Sequence, residues 1–184
     1  MIMSESKNKL VQLLEACWDD DDLKRRFISD PGAVMAERGI EVPEGISFKV
    51  VENTDRCAHI TLPRKLAGDQ STMNLAWGMG EYYHSLVCWV LDISAQRAAL
   101  AQIFETCWAD AGFKKRFFAD PRTVLAEHGV DLPANLDLRI VENSDDCIHI
   151  TLPRRPSGEL DLEELSQVAG GFYETIARTG ARSL

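Results

Sequence analysis

Two short stretches place a thiol and an imidazole two residues apart: Cys57-Ala58-His59 and Cys147-Ile148-His149. If each stretch is a strand, alternation puts Cys57, His59 and Thr61 on one face and Ala58, Ile60 and Leu62 on the other. One Cys and one His per strand give two ligands. Two strands brought together would give Cys57, His59, Cys147 and His149, the Cys₂His₂ donor set of a structural zinc site. The same residues equally describe a half-buried strand carrying a small cysteine and a hydrogen-bonded histidine. No metal is expected on balance, and these four residues are the candidates if one is bound.

Other groups have simpler readings. Cys17-Trp18 and Cys107-Trp108 fall at helix ends, where the indole anchors a core. Asp19, Asp20, Asp21 and Asp22 beside Cys17 would raise a thiol pKa, which argues against a nucleophile. The run "WDDDDLKRR" fits no EF-hand loop and reads as a helix start with acids first and bases after. Glu37, Glu52, Glu127 and Glu142 recur at equivalent places without an evident reaction. The chain has no GxSxG, P-loop, HExxH or GxGxxG. No catalytic residue and no cofactor is expected.

The totals set bounds. The 184 residues are 45% hydrophobic and 27% charged, as in soluble globular proteins, with a formal net charge of −9. That charge disfavours nucleic acid or an anionic membrane as partner. The start of the chain, "MIMSESKNKL", lacks an apolar run, and the most apolar window, "SLVCWVLDI", is too short to span a bilayer. An odd count of five cysteines without a CxxC suits reduced thiols and a cytoplasmic location rather than a disulfide framework.

The elements that must position these residues occur twice. At an offset of 90, residues 10–65 and 100–155 match at 27 of 56 positions without a gap. Leu10, Leu13, Leu14 and Cys17 have helical spacing, as do Leu100, Ile103, Phe104 and Cys107, with Ser94 a candidate N-cap for the second set. A short helix follows in each copy. Then Asp30-Pro31 and Asp120-Pro121 start another helix, which Gly39 and Gly129 stop. "ISFKVVEN" and "LDLRIVEN" alternate as strands. "TD" and "SDD" read as turns, and "CAHITLP" and "CIHITLP" as return strands, so each copy should hold a β-hairpin. Segments 69–91 and 159–177 read as helical. The expected class is α+β, in two repeats of about 90 residues. They form either a pseudo-symmetric pair or two beads.

The stretches "FKKRFFADPRTVLAEHGVDLP", "LRIVENSDDCIHITLPRRPSGEL" and "LEELSQVAGG" resemble the nitrile-hydratase-like leader peptide family. These are leaders of ribosomally made, post-translationally modified peptides, related to the nitrile hydratase alpha subunit. The resemblance covers about 100–171 and, without its tail, about 10–65. It implies a nitrile hydratase alpha-like fold in each repeat and a leader bound by peptide-modifying enzymes. It further implies cleavage after Gly170-Gly171 by a double-glycine peptidase, often fused to an exporter. In such leaders apolar anchors lie at the fourth, seventh and twelfth positions back from the cut. Here those are Val168, Leu165 and Leu160, the expected peptidase-docking residues. Glycines suit a narrow cleft where a Cβ would clash.

Departures shape the expectation. The nitrile hydratase alpha subunit holds its metal with a C-x-x-C-S-C claw, and neither "CAHITLPRK" nor "CIHITLPRR" continues into one. Hydratase catalysis is therefore not expected. The cargo would be "FYETIARTGARSL", without cysteine, leaving Thr175, Thr179 and Ser183 as hydroxyl sites. In copy one Glu81 replaces the second glycine and Gly78 the valine anchor, so its signal looks decayed. The division is 1–90 as repeat 1, 91–171 as repeat 2 and 172–184 as short core peptide or tail. Two rivals stand beside the leader reading. One is a non-catalytic assembly module with a pseudo-dimeric fold, compatible with homo-oligomers; the other is a metal binder using the Cys-x-His strands, or a nitrile hydratase-like enzyme without the usual claw. No membrane insertion is expected.

Overall fold

The computed structural model describes residues 2–42, 44–63, 93–130 and 132–153; of 2–7 and 93–98 it describes the backbone only. Three helices come first: α1 (Ile2–Asp19), α2 (Asp21–Ser29) and α3 (Pro31–Glu37). Strands β1 (Ser47–Glu52) and β2 (Cys57–Leu62) follow. The order repeats as α4 (Ile93–Ala109), α5 (Ala111–Ala119), α6 (Pro121–Glu127), β3 (Asp137–Glu142) and β4 (Cys147–Leu152).

Local chemistry accounts for the helices. Leu10, Leu13, Leu14 and Cys17 lie on one stripe of α1 and are fully buried. The Asp20 carboxylate accepts from the N–H groups of Asp22 (3.0 Å) and Leu23 (2.9 Å), which starts α2 one residue after α1 ends. Asp30 accepts from Ala33 N (3.0 Å), with Pro31 at the first helical position where no N–H is needed. Asp110 and Asp120 repeat both caps. Gly39 (φ 66°) and Gly129 (φ 76°) take the left-handed conformation that ends α3 and α6. The N-cap expected at Ser94 is corrected: α4 already begins at Ile93, so Ser94 lies within its first turn.

The strands depart from the expected hairpins. β1 pairs with β4, not β2, and β2 pairs with β3, both in parallel. Val50 stands opposite Ile150, and Ile60 opposite Ile140. The turns do form, since Thr54 N donates to Cys57 O (2.8 Å) and Ser144 N to Cys147 O (2.9 Å). What stops the hairpin is the residue before each turn. The Asn53 backbone N–H extends the β1–β4 ladder by donating to Leu152 O (2.9 Å), while its side-chain oxygen accepts the His59 N–H (2.9 Å). Asn143 does the same, donating to Leu62 O (3.0 Å) and accepting from His149 N (2.8 Å). Each asparagine thus hands the chain from one ladder to the other. A side-chain amide oxygen satisfies the donor that a hairpin ladder would have used.

The exchange divides the interior into two cores. One joins α1–α3 residues such as Leu10, Leu14, Phe27 and Val34 to Ile148, Ile150 and Leu152 of β4. The other joins Leu100, Phe104, Phe117 and Val124 to Ala58, Ile60 and Leu62 of β2. Ile148, Ile150 and Leu152 are at most 2% exposed. At about 1.5–3 kcal/mol per buried aliphatic side chain, β4 supplies roughly 5–9 kcal/mol of burial to helices of the other half. That is comparable with the whole net stability of a typical domain.

Candidate functional site

The outer faces of β2 and β4 carry the Cys-x-His residues. Burial alternates strictly along both strands, with Cys57, His59 and Thr61 half-buried opposite the core-facing Ala58, Ile60 and Leu62, as the alternation predicts. Each histidine ring lies against the asparagine that turns its strand. His59 Nδ1 is 3.0 Å from Asn53 Oδ1, and His149 Nδ1 is 3.1 Å from Asn143 Oδ1. The same oxygens accept the histidine backbone N–H groups, so they face the rings as acceptors. That assigns the proton to Nδ1 and leaves Nε2 as the open lone pair.

The neighbouring strands set the electrostatics. Lys49 lies opposite His149 and Arg139 opposite His59 in the two ladders. Burial, reinforced by Arg139, pulls His59 below the usual imidazole range. Burial, then Lys49 and His59, does the same to His149. Both rings are therefore neutral at pH 7. Burial raises the Cys57 thiol. Cys17 and Cys107 are pushed up to about 11, mainly by burial. At neutral pH these three are thiols, not thiolates.

The Cys₂His₂ arrangement is not met. Among the described residues no group of three or more His, Cys, Asp or Glu side chains stands close enough to hold a metal ion. The parallel pairing explains this. Beside His149 and His59 it sets Lys49 and Arg139, cations where further donors would be needed, with Ser47 and Asp137 opposite the cysteines.

The remaining candidates are in structural use. Asp20 caps α2, Asp21 pairs with Lys24 (3.2 Å), and Asp22 pairs with Arg25. The recurring glutamates pair with recurring bases: Glu37 with Arg26, Glu127 with Arg116, Glu52 with Lys24 and Glu142 with Lys114. The indoles cross between halves, Trp18 Nε1 donating to Pro153 O (2.9 Å) and Trp108 Nε1 to Pro63 O (3.1 Å). Leu160, Leu165, Val168, Gly170 and Gly171 lie outside the described residues, as do Thr175, Thr179 and Ser183 and the segments 69–91 and 159–177 expected to be helical. The sequence reading missed Asn53 and Asn143. Their signal was an identical Asn at the end of each first strand, four residues before each Cys-x-His.

The profile of the family described as nitrile hydratase, alpha chain, matches residues 81–169. The low-molecular-weight cobalt-containing nitrile hydratase subunit alpha of Rhodococcus rhodochrous is 22% identical over 153 residues, covering 83% of this chain and 61% of that subunit. Polytheonamide B, from the bacterial symbiont of Theonella swinhoei, is 32% identical over 79 residues, covering 38% of this chain and 54% of that protein. Fe-type nitrile hydratase from Comamonas testosteroni Ni1, solved as a double mutant, superposes with a TM-score of 0.48 at 22% identity, over 85% of this chain and 64% of that one. The chain is thus an α+β protein related to the nitrile hydratase alpha chain, and it spans about three-fifths or less of the curated relatives it matches. Among the described residues no donor set matches the metal that the hydratase names carry. Each of the five cysteines is isolated in the sequence, and residues 154–184 contain neither Cys nor His. No helix of the described residues is long and apolar enough to cross a membrane.

Proposed function

We propose that this chain is a leader-like recognition protein of a ribosomally synthesised, modified-peptide pathway, cut if at all after Gly171. The observation that carries the reading is the 32% identity to Polytheonamide B, a product of that class. The isolated cysteines and the protonated described thiols with raised pKa values support a non-catalytic role. In this reading the two halves descend from one leader unit, as the 27 shared positions suggest. Repeat 1 spans 1–90, repeat 2 spans 91–171, and 172–184 is the cargo or tail. Peptide-modifying enzymes bind the folded part. A double-glycine peptidase, with or without its exporter, engages Leu160, Leu165 and Val168 in the cytoplasm. Co-expression with such a peptidase, followed by intact-mass measurement, should give the fragment ending at Gly171. An unchanged mass would remove the precursor role.

A second reading, a non-catalytic assembly module, is favoured by the reciprocal strand exchange, which closes the two halves on each other. Hydrogen exchange separates the two readings. Slow exchange across 160–184 supports a packed tail and an assembly role; fast exchange there supports a leader tail open to a peptidase.

A further inference from the structure

The two ladders differ on the faces turned away from their cores. At the offset of 90, Ser47 corresponds to Asp137, Lys49 to Arg139 and Asn53 to Asn143. In the β2–β3 ladder Arg139 stands opposite His59, and Asp137, on the same strand face, accepts from Arg139 Nε at 3.0 Å. That carboxylate offsets the guanidinium and works against the burial that keeps His59 neutral. In the β1–β4 ladder Lys49 stands opposite His149, but Ser47 takes the place of Asp137, and its hydroxyl donates to Asp146 O (2.7 Å). Among the described residues no carboxylate pairs with Lys49. The charged and titratable neighbours that bear on His149 are Lys49 and His59, and both oppose an imidazolium there. Asn143 adds an independent sign. It is 2% exposed and commits its Oδ1 to the His149 N–H (2.8 Å) and ring (3.1 Å to Nδ1). Its Nδ2 is buried and meets no acceptor among the described residues, the one side-chain nitrogen or oxygen among them so left. Buried amides are nearly always paired, so this donor points to an acceptor from outside those residues.

We propose that Lys49, His149 and Asn143 form a carboxylate-binding site, which takes from a separate molecule the group that Asp137 supplies to the other half. Lys49 reaches the His149 ring from β1, and Asn143 reaches it from the end of β3. One carboxylate oxygen accepts from Lys49 Nζ and the other from Asn143 Nδ2. The imidazole takes a proton from solvent at Nε2 as the negative charge arrives. An anion beside the ring favours the charged form, which Lys49 alone disfavours.

Sodium acetate is the probe, titrated into the full chain against sodium chloride at matched ionic strength. NMR of the imidazole protons reads the titration midpoint of each histidine. Acetate should raise the His149 midpoint by about one unit near saturation, leave His59 in place, and shift the Asn143 side-chain amide signals. Lys49→Gln should abolish the response. Ser47→Asp, which copies the other half, should raise the His149 midpoint without acetate and remove the response to it. Both positions are exposed, so neither variant disturbs a core. No acetate response in the full chain would overturn the proposal, as would one that survives Lys49→Gln or appears equally at His59. A response that appears only once Glu159→Gln, Asp161→Asn, Glu163→Gln and Glu164→Gln are combined would overturn the separate source, because the chain's own acids would then hold the site.

Discussion

Ile150→Ala offers a severe check on the exchanged cores. Ile150 is 2% exposed, sits opposite Val50, and packs against α1–α3 of the other half. Removing its outer carbons leaves a cavity in that core, a change that typically costs about 2–5 kcal/mol. Near-complete burial places the expected loss at about 3 kcal/mol, a fall in midpoint of roughly 6–12 °C for a domain this size. The informative readout is where protection is lost. Hydrogen exchange followed by mass spectrometry should show the largest loss in residues 10–37, more than a hundred positions away in sequence. Ile60→Ala should mirror this, with the loss centred on 100–127. If Ile150→Ala instead loosens residues 100–127 most, each half keeps its own strand and the reasoning fails.

Other outcomes follow from the same geometry. Asn143→Ala leaves the His149 N–H and Nδ1 without their acceptor, and should cost about 1–3 kcal/mol by urea denaturation. Ala58→Ile, opposite Leu138 in the second core, should destabilise by about 1–3 kcal/mol through crowding, read as a fall in the urea midpoint. His59 and His149 are both held below the unfolded imidazole value near 6.5, so the unfolded chain takes up protons first as pH falls. Stability should therefore be constant above about pH 7.5 and decline from about 6.5 down through the folded pKa values. His59→Gln with His149→Gln should flatten that decline, and an unchanged slope in urea melts would refute the assignment. Cys57 and Cys147, half-buried, should be alkylated by iodoacetamide before the fully packed Cys17 and Cys107.

The sequence made the local devices readable and left the partners hidden. Asp30-Pro31 and Gly39 announce a helix and its end because capping and left-handed backbone involve only a few adjacent residues. Alternation along "CAHITL" gives the buried face correctly, since side-chain direction in a strand is a local property. It is silent on which strand lies alongside. A turn at Thr54 and a hairpin look identical in one dimension, and the deciding group is the side chain of Asn53, whose oxygen claims the His59 N–H. The core shared by Phe104 and Ala58 joins residues 46 apart in sequence and is visible only once the strands are known to exchange. The same exchange explains the missing metal donors, because it sets Lys49 and Arg139 beside the histidines that a paired Cys₂His₂ site would have needed together.

The route of β4 into the first core also has a consequence in time. When the ribosome has made α1, α2, α3 and β1, the groove beside β1 is still empty, and the strand that fills it is about 90 residues away. At bacterial synthesis rates of 5–20 residues per second, that is a wait of about 5–20 s. Helices 1–3 must spend it with Leu10, Leu14 and Val34 uncovered or loosely collapsed. Closure comes only when Leu152 has cleared the exit tunnel, while the second core, made of α4–α6 with β2 and β3, needs the chain only as far as Glu142. A nascent chain interrupted anywhere before that point has no finished surface to show a partner. Completion of the fold thus comes only after the segment beyond β4 has itself entered the exit tunnel.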